Sequence, residues 1–252
     1  MSGHSKWSTI KRKKGAEDAR RSRLFTRLVR EIVTAAREGG GIDIDSNPRL
    51  RLAVDKAKAA NMPKDNIERA IKKGAGIGDD GTIFEEILYE GYGPHGVAVL
   101  VETVTDNRNR TLAGVKHAFN KAGGSLAQAN AVAWQFDQKG YIQIDGKGVD
   151  FDEAFLVAAD AGAEDVIAED GLINIYTVSE DLFTVAHALQ ENGFKVTESQ
   201  LTWIPKNEVA LSPDQSLQVL RLLEVLEELD DVDNVASNLE MSDDAIAAFE
   251  SA

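Results

Sequence analysis

Between Gly74 and Gly81 the chain changes character, and that change limits the folds open to it. Before the stretch GAGIGDDG, apolar residues recur at three- and four-residue steps, as they do in amphipathic helices. After it they crowd into short β-branched runs. Charge changes sign at the same place. Residues 1–78 carry 19 Lys and Arg against 9 Asp and Glu, a net of +10, whereas residues 79–252 carry 9 against 33, a net of −24. The overall charge of −14 therefore conceals a basic segment joined to an acidic body, the pattern of a chain in which one part contacts a polyanion. The glycine-rich stretch follows a helical pattern and lacks the Gly-Lys-Ser/Thr ending of a phosphate-binding loop, so it reads as an interdomain linker.

Ten Lys or Arg fall between Gly3 and Arg30. From about Ala16 to Glu38, Leu24, Phe25, Leu28, Val29, Ile32, Val33 and Ala36 form an apolar helical face. At roughly 100° per residue, Arg20, Arg23, Arg27, Arg30 and Arg37 fall opposite it as one stripe, expected to face away from the packing surface. Asn47-Pro48 opens a second helix, since Asn caps well and Pro suits the first turn. A third follows Met62-Pro63, with Asp65 and Glu68 spaced as a capping box and Gly74 as its stop. Residues 1–77 are thus expected to form a basic all-helical domain.

Downstream, Ile83–Glu90 and Gly96–Thr105 read as a β-hairpin, followed by a helix from Leu112 to Ala122. From Gly140 to Ile204 the order is strand, helix, strand, strand, helix, strand, the ferredoxin-like pattern. The remaining strand Val209–Leu211, helix Asp214–Leu229 and strand Val232–Leu239 are too few to form a core alone. Joined to the first hairpin and helix, they supply a second sandwich. The expected fold is multidomain α+β: the helical domain, a discontinuous α+β domain of residues 78–138 and 205–252, and an inserted ferredoxin-like domain of residues 139–204. The ten acids and no basic residue beyond Arg221 read as a solvated face.

Cysteine is absent, which excludes disulfides, thiolate metal sites and a cysteine nucleophile. No apolar run approaches the roughly 20 residues of a membrane helix, and no apolar core follows the N-terminal charges as a secretory signal requires. An Arg-rich, Ser-containing start also suits a mitochondrial transit peptide, against which stands its reading as part of the mature fold. The sequon Asn109-Arg110-Thr111 carries no weight in a chain read as cytoplasmic.

The segments GHSKWSTIK, RLFTRLVREI, NMPKDNIERAIKKG, YEGYGPHGVA and TDNRNRT together resemble the YebC family over essentially the whole chain. That family is described as probable transcriptional regulators and includes a mitochondrial translational activator of cytochrome oxidase. The resemblance implies three domains with the third inserted in the second, and a family motif that begins near Gly3. It also implies a bacterial cytoplasmic protein that regulates gene expression through DNA, with action on ribosomes as the competing reading.

Phosphate contact falls to Lys6, Lys11, Arg12, Lys13, Lys14, Arg20, Arg23, Arg27 and Arg30, because each cation near a phosphate releases condensed counterions. Trp7 either stacks on an unpaired base or staples the arm to the helical domain. The helix pair of residues 48–73 suits DNA reading but is too common a pattern to specify it. Nucleic acid is the expected partner, as DNA or alternatively as ribosomal RNA; no membrane, cofactor or metal is expected. A ligand or partner loop is sought among Tyr89, Glu90, Tyr92, His95, Asn107, Arg108 and Arg110, with its two loops at adjacent strand ends and Glu90 able to partner His95. With only four histidines, none at metal-ligand spacing, and no nucleophile motif, the chain is not expected to be an enzyme.

Overall fold

The computed structural model describes residues 17–38, 41–77, 84–169 and 171–250. Helix α1 (Glu17–Glu38) turns Leu28, Ile32, Val33 and Ala36 into a core completed by α2 (Pro48–Ala59) and α3 (Lys64–Gly74). Asn47 joins two of these helices. Its side-chain oxygen accepts from Leu50 N–H at 2.9 Å to cap α2, while its amide donates to Ala35 O at 2.9 Å on α1 and to Gly41 O at 2.7 Å.

The start and end of α3 differ from the expectation. No side chain caps its first turn, because Pro63 stands at the N-cap and Glu68 is drawn instead to Lys64 at 3.6 Å. Gly74 lies inside the helix and is buried there. A Cβ at Gly74 would stand 2.5 Å from Val33 O and 2.6 Å from Ala36 Cβ, so this glycine permits α1 and α3 to approach, and Ala75 caps the helix.

Beyond these helices the described residues form two four-stranded sheets. Strands β1 (Glu85–Tyr92) and β2 (Ala98–Thr105) form an antiparallel hairpin, and α4 (Arg108–Lys121) leads to the two-residue β3 (Ser125–Leu126). The second sheet then intervenes: β4 (Phe136–Asp145), α5 (Phe151–Asp160), β5 (Ala163–Glu169), β6 (Leu172–Val178), α6 (Leu182–Glu191) and β7 (Val196–Pro205). The chain returns to the first sheet through α7 (Pro213–Glu227) and β8 (Val232–Ser237), and α8 (Asp243–Glu250) follows.

The first sheet runs β3-β1-β2-β8 and the second β5-β6-β4-β7, with every strand pair antiparallel. The second order is that of a ferredoxin-like unit, inserted between strands of the first. Helices α4 and α7 cover one face of the first sheet through Val115, Phe119, Leu220 and Leu223. The strand expected at Val209–Leu211 reduces to a single parallel bridge from Val209 to Leu239. Helix α8, which the terminal acids obscured, buries Phe249 against this core.

Candidate nucleic-acid interface

Of the cations expected to meet phosphates, Lys6, Lys11, Arg12, Lys13 and Lys14, together with Trp7, lie outside the described residues. Arg20 and Arg23 fall on the first two turns of α1. Of the stripe, Arg27, Arg30 and Arg37 each turn to the segments beyond the helical domain. Arg30 pairs with Asp231 at 3.1 Å and donates to Asp230 O; the two side chains are only 14% and 7% exposed. Arg27 donates to Glu227 O at 3.4 Å and stands 4.0 Å from the Asp233 carboxylate. Arg37 donates to Phe84 O at 2.8 Å.

The Arg stripe therefore does not point freely away from the packed face. A helical wheel divides α1 into an apolar and a basic side, yet α1 is covered on both: by α2 and α3 on one, and by the acidic turn between α7 and β8 on the other. That turn lies about 200 residues further along the chain, and as sequence it reads as a solvated acidic tail.

Asp231 is the centre of this contact. Besides Arg30, it accepts from Arg110 Nη2 at 2.8 Å, from Arg110 Nε at 3.1 Å and from the Thr111 hydroxyl at 2.7 Å. The Thr105 hydroxyl lies 2.7 Å from that of Thr111, and Asp106 takes a further bond from Arg110 at 2.8 Å. Burial alone would raise the Asp231 carboxyl, but the bonds from Arg110 and Thr111 and the charge of Arg30 outweigh it and hold the group below the usual carboxylate range. Asn107 caps α4 by accepting from Arg110 N–H at 3.1 Å. Arg108 is exposed, its carbonyl 3.5 Å from the Tyr89 hydroxyl. Burial pushes the Tyr89 phenol up, partly offset by the Arg108 charge.

The other half of the expected ligand loop lies elsewhere. The hairpin register pairs Glu85 with Thr105 at one end and Tyr92 with Ala98 at the other, which separates the loop around His95 from that around Arg108 by about 23 Å at 3.3 Å per residue. His95, at φ 60°, places Nε2 3.0 Å from Gln218 Oε1 on α7. Glu90 faces away from it. Glu90 is 4% exposed, and its carboxylate accepts backbone N–H groups from Asn130, Val132 and Ala133, the last two at 2.8 Å. Tyr92 donates to Ala131 O at 3.3 Å in the same loop. Glu90 and His95 thus do not form an acid-base pair.

A further carboxylate, overlooked in the sequence, ties the bodies together. Glu102 on β2 accepts from Trp203 Nε1 on β7 at 2.9 Å and from Asn234 Nδ2 on β8 at 3.2 Å, and burial pushes it up. A lone acid inside the apolar run GVAVLVETVT was the available signal. Nearby, Lys56 meets Glu31 at 2.7 Å; burial would lower this lysine, but Glu31 and Asp233 raise it. Asp233 is pushed up by burial and by the Glu31 charge. A cleft of about 500 Å³ opens between α2 and α6, lined by Arg51, Lys56, His187 and Ser199.

Among the described residues no group of three or more His, Asp and Glu could hold a metal ion, and no helix is long and apolar enough to cross a membrane.

Comparison with known proteins covers nearly the whole chain. Residues 5–77 match the family described as the TACO1/YebC protein N-terminal domain, and residues 84–239 match the TACO1/YebC second and third domain. A protein of Trichlorobacter lovleyi, named a probable transcriptional regulatory protein, is 54% identical over 97% of this chain and 98% of its own. A protein of Dehalococcoides mccartyi with the same description is 52% identical over 100% of this chain and 99% of its own. The crystal structure of a conserved hypothetical protein from Aquifex aeolicus is similar with a TM-score of 0.84, at 46% identity, covering 91% of this chain and 95% of that one.

Proposed function

The chain belongs to the TACO1/YebC family, and from that premise we propose that it is a non-enzymatic, cytoplasmic regulator of gene expression that binds DNA through its basic helical domain. The observation that carries this reading is the separation of charge along the chain: +10 in residues 1–78 against −24 in the remainder. The relatives named as probable transcriptional regulatory proteins support the regulatory role.

With Arg27 and Arg30 spent on Asp231 and its neighbours, phosphate contact rests on Lys6, Lys11, Arg12, Lys13 and Lys14, with Arg20 and Arg23 beside them. Each such contact releases about 0.9 of a condensed counterion on duplex DNA, so several weak contacts sum to useful affinity. The net negative charge of the sheet body works against phosphate contact there, so the basic segment carries most of the phosphate contact.

The reading is tested by titrating promoter fragments, random duplex and purified ribosomes against the full chain at one fixed salt concentration. A promoter fragment bound about 10³-fold or more tighter than random duplex is the expected result. Tight ribosome binding, with equally weak affinity for every DNA, would overturn the transcriptional reading in favour of translational control.

A further inference from the structure

Trp134 is 68% exposed, the highest value among the large apolar side chains of the described residues. Leaving an indole in water forgoes the burial that usually makes Trp a core or interface residue. The segment that carries it is nevertheless built with care. Three successive structural restraints fix its backbone: the buried Glu90 carboxylate takes the N–H groups of Asn130, Val132 and Ala133; Asn130 is held at φ 66°, a conformation costly for a residue with a Cβ; and Lys206 Nζ donates to Trp134 O at 3.0 Å.

The ring itself is also set. Trp134 Nε1 donates to Ala131 O at 3.1 Å, and the Tyr92 hydroxyl, on a side chain 38% exposed, donates to the same oxygen at 3.3 Å. The indole N–H is therefore consumed within the loop, and what remains to offer is the face of the ring. Lys206 supplies a cation on the rim, shared with Asp137 at 3.3 Å. A pre-ordered aromatic face beside a cation suits a planar group attached to an anion better than it suits a neutral peptide.

We propose that Trp134, with Tyr92 beside it, is a stacking platform for an unpaired nucleobase, a second nucleic-acid contact at the end of the first sheet remote from the docked Arg30. The proposal rests on the nucleic-acid reading and adds a preference for single-stranded segments. Stacking on an aromatic ring is tolerant of base identity, so the site takes any exposed base and reads no sequence.

The test is fluorescence anisotropy of a labelled single-stranded oligonucleotide and of the matching duplex, with the full-length wild type, Trp134→Ala and Trp134→Phe. Trp134→Ala is expected to weaken single-strand binding about 5- to 100-fold and to leave duplex binding and Tm unchanged. Trp134→Phe, which also loses the bond to Ala131 but keeps a ring, should recover most of the loss. Equal single-strand affinity for wild type and Trp134→Ala overturns the platform while leaving the regulator reading intact. Failure of the wild type to bind either nucleic acid overturns both. A proline-rich peptide or a second copy of the chain bound through Trp134, with nucleic-acid affinity unchanged in Trp134→Ala, also overturns it and gives the ring to a protein partner.

Discussion

The two ends of the β1–β2 hairpin each hold a carboxylate almost out of solvent, but they hold it differently. Asp231 is surrounded by charged and hydroxyl side chains from separate elements, Arg30 on α1 and Arg110 and Thr111 on α4. Glu90 is surrounded by backbone N–H groups of one loop. The first arrangement joins units and depends on charge; the second shapes a single loop and depends on hydrogen bonds to a buried anion. A protein that needs its helical domain attached but its charge available can use the first kind of contact. A protein that needs a surface loop held in one conformation requires the second.

The largest effect is expected at Glu90. Glu90→Ala strands three N–H donors and should cost about 3 kcal/mol or more, since each bond to a buried charge contributes about 1.5–3 kcal/mol. Glu90→Gln, which keeps an acceptor, should cost less. Urea denaturation measures both, and a loss under about 1 kcal/mol for Glu90→Ala would show that the loop does not depend on its cage.

Asp231→Asn comes next, at about 2–3 kcal/mol, because Arg30 loses its buried counter-charge. The pH dependence sharpens the point. The folded-state carboxyl of Asp231 is lowered, so its stabilisation is fully present above the ordinary Asp value and is lost as pH falls through the folded one. Asp231→Asn should flatten that acid limb. Glu102 has the opposite sign: its carboxyl is raised, so the folded state is penalised near neutrality and the penalty is relieved as pH falls through the raised value. Glu102→Gln should remove that gain at mildly acidic pH while leaving the steeper acid loss. Denaturation curves from neutral to strongly acidic pH check both signs.

The smallest effect belongs to the more exposed pair beside Asp231, Arg27 with Asp233. Arg27 is 27% exposed and Asp233 35%, so solvent screens the pair, and Arg27→Gln should cost no more than about 1 kcal/mol. The Arg27→Gln variant should lose its small increment of stability at low salt and approach wild type near 1 M salt, whereas Glu90→Ala should be equally destabilised at both. Equal salt response in the two variants would erase the distinction between the ends.

Repetition made the architecture legible in the sequence: α1 carries seven apolar positions at helical spacing, and the strand-helix alternation from residue 140 to 204 has one sensible folding order. Asn47 was legible too, because a cap acts on its own neighbours. What escaped detection acts across the chain. Gly74 looks like a helix stop locally, and only the approach of Val33 shows that it is a packing residue. Arg30 looks free on a wheel, and only the α7–β8 turn, some 200 positions later, shows what it meets. Glu90 and His95 stand five residues apart in sequence, yet the register and the Ala127–Ala133 loop send them to different partners.

The central claim is a division of labour within one basic segment: Arg27 and Arg30 attach the helical domain, and the cations before α1 meet phosphate. It is tested most directly by the salt dependence of duplex binding. The full-length protein carrying Lys11→Gln, Arg12→Gln, Lys13→Gln and Lys14→Gln should lose about 3 to 4 from the slope of log affinity against log salt, with Tm unchanged. The variant carrying Arg27→Gln and Arg30→Gln should keep the slope and lose Tm. A slope that falls with Arg27 and Arg30 and survives loss of the four arm cations would contradict the account.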